Sequence, residues 1–246
     1  MGTYVYDNSF TGLVCAIKAA AIDPAAEITL AAPCQENLFS PAVEIAASIA
    51  ECAAFLRKLD TLAGPGTAEN IKLCWLWTGP EKEKTLLTYA RMAFSKGKAL
   101  NDLLADPVVA KVQKAAAAVL REGHRFKGLL RFTELRDGTL YARIEPDHNV
   151  LPLVAAHFKR RTAASDWVIH DAKRELAALY FGGRLRLAQL DAETRPPPSD
   201  GEPQVAGLWR SFFTAVAIKE RLNPRAQRGG VPLKYRGNMP EFDSDI

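Results

Sequence analysis

Apolar positions in the first half of the chain recur mostly at helical spacing, broken by clear stop signals. Thr3–Asp7 alternates and is rich in strand formers, so it reads as a short strand. Asp7-Asn8-Ser9 offers a turn and an N-cap for a helix over Thr11–Ala21, which Asp23-Pro24 stops. Glu27–Ala31 reads as another short strand. Pro41–Leu59 reads as a long Ala-rich helix, with Val43, Ala46, Ala47, Ala50, Ala54 and Leu62 on one face. Ala63-Gly64-Pro65-Gly66 breaks the chain, and Lys72–Thr78 is a short apolar run that leans helical. An amphipathic helix follows over Glu81–Lys98. Asp106-Pro107 then opens one that runs to about Arg121, where Gly123 is expected to end it.

After Gly123 the period shortens. Phe126–Leu135 and Thr139–Pro146 read as strands joined by Arg136-Asp137-Gly138, a hairpin signal. Asn149–Arg161 reads as a helix capped by Asp147. Trp167–His170, Leu176–Phe181 and Arg184–Leu190 read as strands, the last two joined at Gly182-Gly183. Asp191–Pro203, containing three consecutive prolines at 196–198, has the composition of an exposed loop. Gly207–Leu222 reads as an amphipathic helix, and the tail as irregular. The expected class is α+β: a single domain over 1–246, with a helical part over 1–122 and an antiparallel sheet crossed by helices over 123–240.

Of the 246 residues, 48% are hydrophobic and 24% charged, which excludes a wholly disordered chain. No stretch approaches the roughly 18 apolar residues that span a bilayer. Residues 1–7 lack a basic start and an apolar run, so no secretory signal is expected. A soluble, cytoplasmic protein without membrane partners follows. Charge changes the picture further. Residues 1–120 carry 11 basic and 12 acidic residues, whereas residues 121–236 carry 21 against 13, a net +8. The second half therefore has the character of a polyanion-binding surface.

Cys15, Cys34, Cys52 and Cys74 lie 19, 18 and 22 positions apart, so no pair forms a Cys-x-x-Cys motif and no close trio exists for an iron–sulfur cluster. Common nucleotide-binding and hydrolase signatures are absent. The residues imply no cofactor and no metal site. The most polar constellation is Asp147-His148, with His157 and His170-Asp171 further on. Such residues can ligate a metal or serve as a general base with its orienting partner, but the spacing favours capping, hydrogen bonding or contact with a ligand phosphate. On a strand, Arg125, Lys127 and Arg131 would share a cationic face that follows a phosphate backbone. Lys219–Arg236 forms a basic arm holding Arg221, Arg225 and Arg228, with Tyr235 available, as Trp167 is, for base stacking.

Several segments together resemble a prokaryotic family assigned to DNA repair or DNA metabolism. They are Tyr4-Val5-Tyr6-Asp7, His124-Arg125-Phe126-Lys127-Gly128-Leu129, Ile144-Glu145-Pro146-Asp147-His148, His157-Phe158, Ile169-His170-Asp171, Leu208-Trp209, Phe212-Phe213 and Arg221 with Asn223-Pro224. The likeness covers nearly the whole chain and is most specific over 124–171. It departs around Arg228–Asn238, where that family favours a Met-Pro-Lys-Arg-Tyr-Trp-like run. Members are paired with a radical-SAM protein and are sometimes fused to a uracil-DNA-glycosylase-like domain. The resemblance implies a DNA-associated repair or modification factor acting with a separate radical-SAM enzyme. DNA would be positioned by Arg125, Lys127, Arg131, Arg143, Arg160, Arg161, Arg221, Arg225 and Arg228. The alternative is a DNA-processing enzyme centred on Asp147, His148, His157, His170 and Asp171.

Overall fold

Ser9 starts the first helix. Its side chain accepts from Gly12 N at 2.9 Å, while Asp7 Oδ1 accepts from Ser9 N at 3.0 Å and from Ser9 Oγ at 2.6 Å. A Cβ at Gly12 would stand 2.1 Å from Asp7 Oδ1, so a larger residue there would displace the Asp7 side chain from this turn. The computed structural model describes residues 2–30, 42–218 and 223–242. Cys34, Lys219 and Arg221, singled out above, lie outside them. The chain forms two compact units, Met1–Leu120 and Arg121–Ile246, and the class is α+β with a mostly helical first half. No helix among the described residues is long and apolar enough to cross a membrane.

In the first unit, β1 (Thr3–Tyr6) lies between β2 (Glu27–Leu30) and β3 (Ala42–Glu44), all parallel. The helices are α1 (Phe10–Ala20), α2 (Ile49–Ala63), α3 (Thr67–Leu76) and α4 (Lys82–Lys96). Leu13 and Ile17 of α1, Leu59 of α2, Ile71 of α3 and Leu86 of α4 are fully or almost fully buried in one core. The continuous helix expected over Pro41–Leu59 does not form. Ile45 N donates to Val5 O at 2.9 Å, so sheet pairing captures residues 42–45, and Ser48 caps a helix that begins at Ile49. The alanines satisfied helical spacing without demanding a helix.

Helix α5 (Pro107–Leu129) opens where Asp106 Oδ1 accepts from Val108 N at 2.8 Å. It does not stop at Gly123. Glu122, Phe126 and Leu130 are buried at successive spacings of four, a helical face that outweighs a glycine cost of about 1 kcal/mol. A Cβ at Gly123 would meet Leu153 Cδ1 at 3.3 Å, so the glycine permits close approach of the helix that follows. The expected strand over Phe126–Leu135 is therefore reduced to β4 (Thr133–Glu134).

The second unit is built on a five-stranded sheet ordered β4, β5 (Leu140–Ile144), β6 (Trp167–Asp171), β7 (Leu176–Phe181) and β8 (Arg184–Gln189). The sheet is mixed rather than wholly antiparallel. β5 and β6 run parallel, joined by α6 (Leu151–Arg161) as a crossover. Asp147 does not cap α6: the N-cap is Val150, with no side-chain bond. Helix α7 (Glu202–Ala215) begins earlier than expected and buries none of its residues. The tail is not irregular. It holds α8 (Pro224–Gly230), capped by Asn223, then 3-10 turns over Leu233–Asn238 and Pro240–Phe242 that bury Tyr235, Met239 and Phe242.

Candidate nucleic-acid interface

Alternation along β6 separates the polar residues of the central motif. Trp167, Ile169 and Asp171 face one side of the sheet, and Val168 and His170 the other. Asp171 is fully buried and joins a cluster at the β5–α6 loop. Arg174 Nη1 donates to Asp171 Oδ2 at 2.9 Å and to Pro146 O at 3.0 Å, and its Nη2 donates to Asp147 O. Glu122, itself buried, accepts from Asp147 N and His148 N at 2.7 Å each and from the Tyr235 hydroxyl at 2.5 Å. The Asp147 carboxylate pairs with Lys234 and, at 3.5 Å, with Lys173. Asp147, His148 and Asp171 thus stand together.

The charges follow from these contacts. The hydrogen bond from Lys234 foremost, then the charges of Lys234 and Lys173, hold the Asp147 carboxyl below its usual range. Burial pushes the Asp171 carboxyl up against the pull of Arg174. Burial lowers His148, favouring its neutral form. Burial, joined by the Glu122 hydrogen bond and charge, raises the Tyr235 hydroxyl far above its ordinary value. The cluster ties α5, the β5–α6 loop, the β6–β7 turn and the tail to one another through ionic and hydrogen bonds, with Asp171 Oδ1 left buried without a hydrogen-bond partner among the described residues.

The other two histidines lie elsewhere. His170 is fully buried, and its Nδ1 stands 2.7 Å from the Tyr141 hydroxyl and its Nε2 3.2 Å from Leu190 O. Because Leu190 O can only accept, Nε2 carries the proton and Nδ1 accepts from Tyr141, in a neutral ring that burial favours. His157 lies on α6, edge-on to Phe158 at 5.1 Å, and its Nε2 is buried without a hydrogen-bond partner among the described residues. The five polar residues therefore do not form one active site. Among the described residues no group of three or more His, Cys, Asp or Glu side chains could hold a metal ion.

The basic residues divide in the same way. Arg131 pairs with Glu241 at 2.6 Å and Arg143 with Glu145 at 3.0 Å. Arg125 and Lys127 lie on helix α5, not on a strand, so the expected cationic strand face does not exist. What forms instead is a cluster around His157. Burial first, then the charges of Lys127, Arg161 and Arg160, hold that imidazole below the ordinary histidine value. Arg160 and Arg161 are exposed in the last turn of α6, and Lys127 is half-buried beside them. None of the three has an acidic partner among the described residues. Arg125 is exposed and its Nη2 reaches Gly229 O of α8 at 3.5 Å, beside exposed Arg225 and Arg228. Tyr235 and Trp167 are 6% and 0% exposed, so neither is placed to stack on bases. Sequence alone assigns no role to Glu122 or Arg174, and Lys234, expected in a basic arm for phosphate, is instead paired with Asp147. The spacing Val119, Glu122, Phe126 could have revealed the first, since it continues the apolar face of α5.

Residues 80–241 match the family described as DUF4130, a domain of unknown function. No curated protein and no solved structure matches the chain.

Proposed function

The chain belongs to the DUF4130 family, and for this member we propose a DNA-associated repair or modification factor whose residues 121–242 hold the phosphate backbone. The observation that carries the reading is the cationic cluster of Lys127, Arg160 and Arg161 around His157, uncompensated by acids among the described residues. Three unpaired cations on adjoining helices would release counterions on meeting phosphate, which supplies most of sequence-independent affinity. Arg125, Arg225 and Arg228 extend the same chemistry along α5 and α8. Arg131 and Arg143 belong to ion pairs and contribute less to such a surface.

The reaction itself is assigned to a separate radical-SAM enzyme, with a uracil-DNA-glycosylase-like protein as a further partner and the cytoplasm as the location. The partners rest on the resemblance set out above; the wide spacing of the four cysteines, which leaves this chain without a close cluster-ligating trio, supports only placing the cluster chemistry on another protein. Binding of a labelled oligonucleotide followed across a salt series tests the DNA reading.

A further inference from the structure

Three arginines reach one pocket of the second unit. It is an open cleft of about 390 Å³ between β5, the segment around Arg195, the first turn of α7 and residues 237–240. That volume suits a small molecule, for which sites run from about 300 to 1,000 Å³. The cations are not equally neutralised. Arg131 is paired with Glu241 and Arg143 with Glu145, whereas exposed Arg195 has no acidic partner among the described residues. Arg143 Nη1 and Arg195 Nη1 both donate to Ala192 O, at 2.5 and 3.3 Å, so two guanidinium groups stand side by side. One carboxylate serves the two. A site of this kind attracts an anion, and paired guanidinium forks match the oxygens of a phosphate.

The rest of the pocket is built for a flat ring. Phe132, Pro196 and Met239 give an apolar wall. Phe132 is braced edge-on by Phe158 at 5.2 Å and lies 6.5 Å from Trp167, centroid to centroid. The floor is Tyr141, whose hydroxyl is fixed by His170. The acid at the rim, Glu202, has one oxygen engaged by Glu134 N at 3.0 Å.

We propose that this pocket is a nucleotide site, with a terminal phosphate monoester held by Arg143 and Arg195 and the ring lying against Phe132. The pocket stands on its own geometry; only the choice of a nucleotide among phosphorylated rings rests on the DNA reading above. Such a ligand could be a free mononucleotide or the phosphorylated end of a strand.

Calorimetric titration of the full chain separates these cases. Thymidine 5′-monophosphate is expected to bind at least about tenfold tighter than thymidine, as a charge-assisted phosphate contact requires. Arg195→Gln, an exposed change, is expected to remove most of that difference, and Arg195→Lys to restore part of it. No binding of the monophosphate at millimolar concentration, or equal binding by Arg195→Gln, overturns the site. A 5′-phosphorylated decamer preferred over its 5′-hydroxyl twin supports the site and assigns it to strand ends. Monophosphate binding without that preference supports it as a site for free nucleotides. Salt-dependent binding of both decamers without the monophosphate overturns the pocket and leaves the cationic surface standing. Monophosphate binding without any decamer binding does the reverse.

Discussion

Glu122 and Tyr235 lie 113 positions apart and meet through a 2.5 Å hydrogen bond, the tyrosine hydroxyl donating to Oε1. Both are buried, and the same carboxylate accepts from the backbone N–H groups of Asp147 and His148. One side chain on α5 thus fixes the start of the central motif and the fold of the tail. Tyr235→Phe is expected to cost about 1.5–3 kcal/mol, the worth of a hydrogen bond to a charged group. Glu122→Ala is expected to cost roughly 3–5 kcal/mol, because it leaves three donors, the buried Tyr235 hydroxyl and the part-buried N–H groups of Asp147 and His148, without their acceptor. Denaturant unfolding of both variants and their combination measures this. A strictly additive double variant would contradict the shared contact.

Asp147 gives a contrasting outcome. It is 46% exposed on its side chain and holds Lys234 and Lys173 rather than a helix end. Solvent screens such pairs, so Asp147→Ala and Asp147→Asn are both expected to change stability by less than about 1 kcal/mol. A clear advantage of Asn over Ala would instead indicate a capping role.

Acid sensitivity follows from the histidines. His148, His157 and His170 are all held below the ordinary value of 6.5, burial being the first cause in each. The unfolded chain therefore takes up these protons at higher pH than the folded one. The stability contributed by the neutral rings is present above the unfolded value and is lost as pH falls through the lower folded values. The thermal midpoint is expected to drop between about pH 7 and pH 5, and His170→Gln to shrink that drop. A midpoint that rises over this range would contradict the assignment.

The His157 imidazole reports on the cationic cluster directly. Removing the charges of Lys127, Arg160 and Arg161 is expected to raise its pKa, since those charges hold it down after burial. Addition of DNA to the wild-type chain is expected to raise it too, because phosphate neutralises the same cations. Proton NMR of the ring across a pH series reads both. An unchanged titration in the triple variant would remove the cluster.

Elements with their own local signals were legible in the sequence. The Ser9 cap, the Asp106 cap, the Asp137-Gly138 hairpin and the Gly182-Gly183 turn all stand where residue chemistry alone put them. Elements decided by partners far along the chain were not. β3 exists because β1 supplies its hydrogen bonds. α5 continues past Gly123 because Leu153 packs against the gap and because Glu122, an ordinary surface residue type, is buried on distant donors. The candidate site shows the same division. The basic character of residues 121–236 is a matter of composition. Which cations stand free is not, since Glu241 neutralises Arg131 across 110 positions while Lys127 finds Arg160 and Arg161 on the next helix.

The central claim is that the second unit grips nucleic acid through uncompensated cations on α5 and α6. The most direct measurement is the dependence of oligonucleotide affinity on salt for the wild type and for Lys127→Gln/Arg160→Gln/Arg161→Gln. Each phosphate contact contributes about 0.9 to the logarithmic slope on duplex DNA and about 0.7 on single strands. The account predicts a steep linear fall for the wild type and a slope shallower by roughly 2–3 for the variant on duplex. A wild-type affinity that does not change with salt, or a variant slope equal to that of the wild type, would contradict it.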